Sequence, residues 1–498
     1  MANAIVISGW GQVTQPKQAQ PPYLDPVDMM EMAARQAGEL AGPGALTDLD
    51  ALLVVRTQSR LLHEPEIELA RRLGATPRVA RVSGIGGQVP QQFVNQAAGM
   101  LARGEVESVL ICGAETFYPR SADAARGESA LLQGIPADYD AEDAVGASAA
   151  EQRHGLSLPI HGFPLFENAL WAQSGLSKAS WLAQVGELWS GFSAVAAQHP
   201  NAWTREAVPA ARIVTPAPDN RPIAYPYTKR MVSLVMADIG AAVIMTTARR
   251  AAARPGGAGR VVYFLGGGYA KDRQRFLIEK ERYTQSPAIA KAAARAEIRA
   301  GVRAADIECF DLYSCFPCAV QVARRHLGIA PDDPRPLTQT GGLGFFGGPG
   351  SNYALHGIAS MAETLASGRH RTGMTTALGW FMHKYAVGIY ADRPGKADLT
   401  RADQEDEAMP EAGNAPVDID PAPQGTGTIE TWTVIYDRDQ APARAILYGR
   451  TAAGRRFVAN APHEAASYAA LTGENVVGRT VHVATDSATG HARAVLAD

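Results

Sequence analysis

The stretch Glu68-Leu-Ala-Arg-Arg-Leu-Gly-Ala-Thr-Pro77 returns about 253 residues later as Gln321-Val-Ala-Arg-Arg-His-Leu-Gly-Ile-Ala-Pro331. Both read as a helix closed by glycine and stopped near proline. Glycine adopts the left-handed conformation that ends a helix, and proline cannot continue one. One such pair is weak evidence. It gains force because the residues around it repeat in the same order.

Upstream, Thr47-Asp-Leu-Asp-Ala-Leu-Leu-Val-Val pairs with Ala305-Asp-Ile-Glu-Cys-Phe-Asp-Leu-Tyr, each a polar start before a buried strand. Further upstream, Ala4-Ile-Val-Ile-Ser-Gly-Trp-Gly matches Arg260-Val-Val-Tyr-Phe-Leu-Gly-Gly-Gly. Downstream, Gly86-Gly87 and Gly347-Gly348 each open an Ala-rich helix, which ends at Gly104 in one case and Gly368 in the other. The strands Ser108-Val-Leu-Ile-Cys-Gly and Gly373-Met-Thr-Thr-Ala-Leu-Gly follow. The offset drifts only between about 253 and 265, as short loop insertions allow. Strand and helix alternate in both copies, so the expected fold is a duplicated α/β arrangement. It has two βαβαβαββ halves at 1–255 and 256–395, with layered, helix-covered sheets.

Two segments fall outside the repeat. Residues 116–226 interrupt the first copy and read as a loop domain over one face. Residues 396–428 are acidic and rich in Pro, Gly and Ala, which reads as an exposed linker. Beyond it, Thr428-Ile-Glu-Thr-Trp-Thr-Val-Ile-Tyr, Ala445-Ile-Leu-Tyr-Gly-Arg, Arg456-Phe-Val-Ala-Asn and Val477-Gly-Arg-Thr-Val-His-Val-Ala read as short strands. They predict a small β-barrel of OB type over 429–498. Some OB folds bind nucleic acid, but this stretch has no basic excess and reads as an accessory domain.

Bulk properties exclude several classes. The net charge of -3 gives no pull towards nucleic acid or anionic membranes. No apolar run reaches the roughly 18 residues needed to span a bilayer. The first residues, MANAIVISGWGQ, read as a strand and not as a secretory signal. Four cysteines in 498 residues argue against a disulfide scaffold, and a cytoplasmic protein is expected.

The segments Asn201-Ala-Trp-Thr-Arg, Asp219-Asn-Arg-Pro-Ile-Ala-Tyr-Pro-Tyr-Thr-Lys-Arg-Met and Ala237-Asp-Ile-Gly-Ala-Ala-Val resemble those of sterol-carrier-protein-type thiolases. Leu312-Tyr-Ser-Cys-Phe and Gly341-Gly-Leu-Gly-Phe-Phe-Gly-Gly-Pro-Gly match two active-site loops of the thiolase superfamily in position. With its extra C-terminal domain, the chain most resembles the type 1 thiolase-like proteins. The resemblance implies a coenzyme A thioester as substrate or ligand, with no covalently held cofactor. It also implies acetyl-CoA acetyltransferase-like chemistry in lipid metabolism and a homodimer through the thiolase core; a catalytically silent form would work with an accessory acyl-CoA enzyme.

The family's reactive residues do not carry over. The nucleophilic cysteine falls at Gly87, the histidine of the Gly-His-Pro motif at Gly348, the second cysteine at Leu378, and the asparagine of the Asn-Glu-Ala-Phe motif at Tyr313. The resemblance to thiolase-like aldolases that lack the cysteines and use tyrosines implies C–C bond cleavage or formation of aldol or retro-aldol type, with Tyr313 and Tyr353 moving protons. The helix starts after Gly87 and Gly348 would hold an oxyanion or carboxylate. Two alternatives are a catalytically silent CoA-binding scaffold and an acetyltransferase that uses Cys315. His356, about two turns beyond Gly348, reaches the site or packs in the core. Tyr227, Lys229 and His383 are candidates for contacts to CoA. Cys315-Phe-Pro-Cys318 has the spacing of a redox pair or half a zinc site, but no second pair exists and no metal site is expected.

Overall fold

The computed structural model describes residues 3–120, 146–255 and 260–497. The first half runs β1 (Ile5–Thr14), α1 (Pro26–Ala41), β2 (Ala51–Val54), α2 (Pro65–Leu73), β3 (Val79–Val82), α3 (Val89–Ala102) and β4 (Ser108–Thr116). An insertion follows, with helices α4 (Pro159–Ser174) and α5 (Lys178–Gln198) and the short strands β5 (Pro222–Ala224) and β6 (Tyr227–Thr228). β7 (Asp238–Thr247) closes the half. Part of the sequence-defined loop domain, 121–145, lies outside the described residues.

The second half repeats the order with β8 (Val262–Lys271), α6 (Pro287–Ala300), β9 (Cys309–Asp311), α7 (Pro317–Leu327), α8 (Tyr353–Ala366), β10 (Thr372–Gly379) and β11 (Lys384–Ala391). The strands form one sheet, ordered β3-β2-β4-β7-β1-β8-β11-β10-β9. Across the sheet the second half runs in the reverse order of the first, and no strand among the described residues pairs outside β9 as β3 does outside β2. The halves meet where Val6 and Ile7 of β1 pair antiparallel with Tyr263 and Val262 of β8. The duplicated, layered α/β fold is the one the internal repeat predicts.

The duplication extends to packing. A Cβ on Gly11 of β1 would strike the carbonyl of Ala33 in α1, and one on Gly268 of β8 would strike that of Ala292 in α6. Both strand glycines let a helix backbone lie directly on the sheet. The central helices cross over between halves. Gln91 of α3 accepts from Thr375 (2.6 Å) and Tyr390 (2.8 Å) of the second half, while Asn352, which precedes α8, donates to Gly113 O (2.8 Å) of the first. This exchange brings the starts of α3 and α8 to a common region.

Residues 396–428, expected as an exposed linker, are instead tied to the core. They contain α9 (Ala402–Glu407), whose buried Asp406 accepts from Arg295 Nε at 2.8 Å and Arg299 Nη1 at 2.9 Å of α6. The acidic composition serves this ion pairing as well as solvation. Next come β12 (Gly425–Tyr436), β13 (Pro442–Thr451), β14 (Arg456–Asn460), α10 (Ala465–Gly473), β15 (Thr480–Thr485) and β16 (Ala492–Leu496). The order β13-β14-β16-β15-β12, with β12 also paired to β13, closes a five-stranded barrel. The insertion binds it: β5 pairs with β12 at Ala224 and Ile435, and Asn168 of α4 donates to Trp432 O at 2.7 Å.

Candidate functional site

Gly87 lies two residues before α3, in a turn that follows β3. Pro90 stands in the first turn of α3, where its missing N–H costs nothing, and no side chain caps the helix. The turn is fixed from the other half, because Gly86 N donates to Ser351 Oγ at 2.9 Å and Gln58 Nε2 donates to the same oxygen at 2.8 Å. A Cβ on Gly87 would overlap the Tyr313 hydroxyl oxygen and lie 2.5 Å from Leu378 O. Residues 87, 313 and 378 thus meet at one point of the fold. The place where a side chain at 87 would begin is occupied.

Position 348 is also filled. A Cβ there would lie 2.7 Å from Leu343 Cβ. The Gly348 N–H already donates to Leu234 O at 2.9 Å, so it is not free to hold an oxyanion. α8 starts only at Tyr353, five residues after the glycine pair, which corrects the expectation of a helix opening at Gly348. The loop runs on because Gly350, with φ +53°, packs its α-carbon against the buried Glu115 side chain.

Tyr313 and Tyr353 meet edge to face, with ring centroids 5.5 Å apart. The Tyr353 hydroxyl shares a 2.6 Å hydrogen bond with Thr340 Oγ1 and lies 3.4 Å from Asp311 Oδ1. Asp311, at the end of β9, accepts on Oδ2 from Gln339 N at 2.7 Å and Thr340 N at 3.2 Å. Burial pushes both tyrosines well above the ordinary phenol range, and for Tyr353 the Asp311 carboxyl adds to the rise. This is opposite to the shift a tyrosine base needs.

The other candidates are dispersed. Cys315 is buried and desolvation pushes its thiol up, against thiolate formation. Cys318 is buried and both cysteines are free, as are Cys112 and Cys309. His356 is fully buried, pairs through Nδ1 with Gln12 Oε1 at 2.9 Å, and is pushed down to about 3 by burial and by nearby His199. It is a neutral core histidine. Tyr227 is buried, donates to Glu167 Oε2 at 2.6 Å and stacks on Phe316. Lys229 is exposed on a single 3-10 turn. His383 is buried and burial holds it neutral, reinforced by Lys280 and Lys384. Among the described residues no group of three His, Cys, Asp or Glu side chains is placed to hold a metal, and no helix is long and apolar enough to cross a membrane.

Several structural determinants of this site were not singled out from the sequence: Leu343, Ser351, Thr340, Asp311 and the turn between β10 and β11. In that turn, Trp380 and Met382 adopt φ of 48° and 60°, a costly conformation for side chains of this size. The insertion buttresses it. Trp380 packs against Gly146 and Phe381 against Gly162, at each of which a Cβ would clash. Such glycine–aromatic contacts link distant segments, and only the glycines themselves were visible beforehand.

Residues 411–488 match the family described as thiolase-like protein type 1 additional C-terminal domain. No curated protein sequence matches the chain. Among solved structures, the chain is similar to a complex described as an Ltp2-ChsH2(DUF35) aldolase, at 18% identity and TM-score 0.63, covering 78% of this chain and 98% of that one. It is also similar to an acetyl-CoA acetyltransferase from Syntrophomonas wolfei, at 14% identity and TM-score 0.55, covering 79% and 100%. These two likenesses establish the fold alone. A monomeric SCP2-thiolase like protein type 1 from Mycobacterium smegmatis is 31% identical, with TM-score 0.82 and full coverage of both chains. With that identity over its whole length and the matching C-terminal domain, the chain belongs to the SCP2-thiolase-like proteins of type 1.

Proposed function

We propose that this chain binds a CoA thioester or CoA-like ligand and forms no acyl-enzyme, so that binding replaces thiolysis as its activity. The observation that carries this reading is the overlap of the Tyr313 hydroxyl with the space of a side chain at position 87. A thiolase needs a nucleophile there, and losing such a group costs on the order of 10⁶ in rate. Leu343 in the place of a side chain at 348 supports the same conclusion. The class of ligand follows from family membership. Of the candidate CoA contacts, Lys229 alone is exposed for a phosphate, whereas Tyr227 and His383 are buried.

A second reading is favoured by the chain Tyr313–Tyr353–Thr340–Asp311. In it the protein makes or breaks a C–C bond on a CoA thioester, with an accessory protein completing the site, in the way that Ltp2 is paired with ChsH2(DUF35) in the aldolase complex. A phenol whose pKa is raised donates a hydrogen bond better than it removes a proton. Tyr313 would then steady the thioester oxygen as charge develops, and the base would come from elsewhere. For oligomeric state we propose a monomer, following the M. smegmatis relative, in place of the thiolase-type dimer.

The deciding experiment incubates the protein with a panel of β-hydroxyacyl-CoA and β-ketoacyl-CoA thioesters while product and binding are measured together. Saturable binding without shortened CoA products supports the binding reading. Shortened products that disappear in Tyr313→Phe support the second and overturn the first.

A further inference from the structure

Away from the thiolase-like site, a cleft of about 130 Å³ is lined by Asp272, Gln274, Lys280, Gln285, Pro287 and Asn414, among others. Lys280 is 1% exposed. Its Nζ donates to Gln274 O at 3.2 Å and stands 3.7 Å from Asp272 Oδ2, too far for a hydrogen bond. An ammonium carries three donors and needs acceptors for them when buried. Asp272 Oδ2 is itself buried and accepts no hydrogen bond among the described residues. The pair is held apart by its surroundings: Asp272 N donates to His383 O at 2.7 Å, and Asp272 Oδ1 accepts from Gln274 N at 3.1 Å.

From this arrangement we propose that Lys280 is a nucleophilic amine that condenses with a small aldehyde or ketone entering the cleft. The proposal does not depend on the reading of the thiolase-like site. The amine lone pair attacks the carbonyl carbon, an N–C bond forms, and the C=O π pair moves to oxygen. Asp272 takes a proton from nitrogen as the oxygen gains one from solvent. The carbinolamine then loses its hydroxyl as water, using the proton that Asp272 returns, and a protonated imine remains, its nitrogen keeping its second proton and its charge matching the one proton taken from solvent. No oxidant or reductant is consumed.

The charged and titratable groups near the amine include Asp272, Glu279, Glu151 and His383, with Glu281 and Arg282 lining the same cleft. Burial pushes the amine down, and Asp272 and Glu279 oppose that shift without cancelling it. A larger neutral fraction at neutral pH follows, the condition for a reactive lysine.

The test uses the full chain at pH 7 with propionaldehyde and cyanoborohydride, which reduces any imine to a stable propyl-lysine. Digestion and mass spectrometry then compare lysines within one molecule. Lys280 is expected to be labelled severalfold faster than the exposed Lys17, Lys229 and Lys396, because an amine whose pKa is pushed down holds more free base. Labelling of Lys280 no faster than those three overturns the proposal, whether the amine is charged or inaccessible. Although Asp272→Asn removes a neighbour that holds the amine's pKa up, it should slow labelling at Lys280 and leave Lys17 unchanged, because the proton transfer is lost; labelling at Lys280 that is unchanged or faster, or equal slowing at both, assigns Asp272 no part in the step. The wild-type comparison decides the matter even if that variant does not fold.

Discussion

The hydroxyl of Tyr313 lies where the first side-chain atom of residue 87 would stand, with Leu378 O closing the same space at 2.5 Å. The two residues are 226 positions apart in sequence and come from opposite halves of the duplication. A side chain at 87 therefore requires Tyr313 to move.

This contact is measurable as a coupling. Gly87→Ala should destabilise the fold by about 1–3 kcal/mol through overpacking. In a Tyr313→Ala background the same change should cost less, with an interaction energy of about 1 kcal/mol from a double-mutant cycle. Denaturant unfolding of the four proteins gives the number. Full additivity contradicts the contact.

Tyr353→Phe removes the 2.6 Å partner of Thr340 Oγ1 in a fully buried setting. The expected loss is about 0.5–1.5 kcal/mol, the worth of one buried hydrogen bond, because Thr340 Oγ1 still accepts from Gly342 N and reaches Asp311 Oδ2. Chemical denaturation checks it, and an unchanged midpoint contradicts the assignment.

Glu167 supplies a pH signature. Burial lifts its carboxyl to about 7, against the lowering by Tyr227, Gln321 and Trp181, which donate to it. Between about 4.5 and 7 the folded protein holds a proton that the unfolded chain has released. Its contribution to stability is thus fully present below about 4.5 and is lost as pH rises through 7, by about 3 kcal/mol in all. In Glu167→Gln this dependence should vanish, since the Tyr227 hydroxyl can turn to accept from the amide. Stability measured at several pH values should show the wild type losing ground relative to the variant across that window. Parallel curves contradict a buried, proton-holding Glu167.

Asp406 anchors the segment before the barrel through Arg295, Arg299 and the Tyr269 N–H, which donates to it at 2.9 Å. Asp406→Ala should cost about 1–3 kcal/mol, because Arg295 and Arg299 lose their buried partner but keep the exposed Glu405. It should also open 396–428 to limited proteolysis, which the wild type resists. Rapid cleavage of the wild type there contradicts the anchoring.

The fold was legible because its signals are local and occur twice. Glycines at 74 and 328 close matched helices in the left-handed conformation, as the sequence spacing implies. The missing counterpart of β3 was not legible, since the edge beyond β9 is covered by a loop: Phe310 N donates to Pro336 O and Leu312 N to Leu337 O. At the site, residues 87, 313 and 378 meet. What filled the space did not show in the sequence, because Leu343 against Gly348 and Gln12 against His356 are contacts made only by the folded chain. The buried histidines illustrate the limit most plainly: residue type suggested chemistry, and burial removed it.

Binding without an acyl-enzyme is most directly tested by incubating the protein with acetyl-CoA, then taking its intact mass with and without hydroxylamine, alongside a calorimetric titration with the same ligand. Saturable binding and no hydroxylamine-sensitive acetyl adduct are expected. A hydroxylamine-sensitive adduct, on Cys315 or any other cysteine, would contradict that expectation.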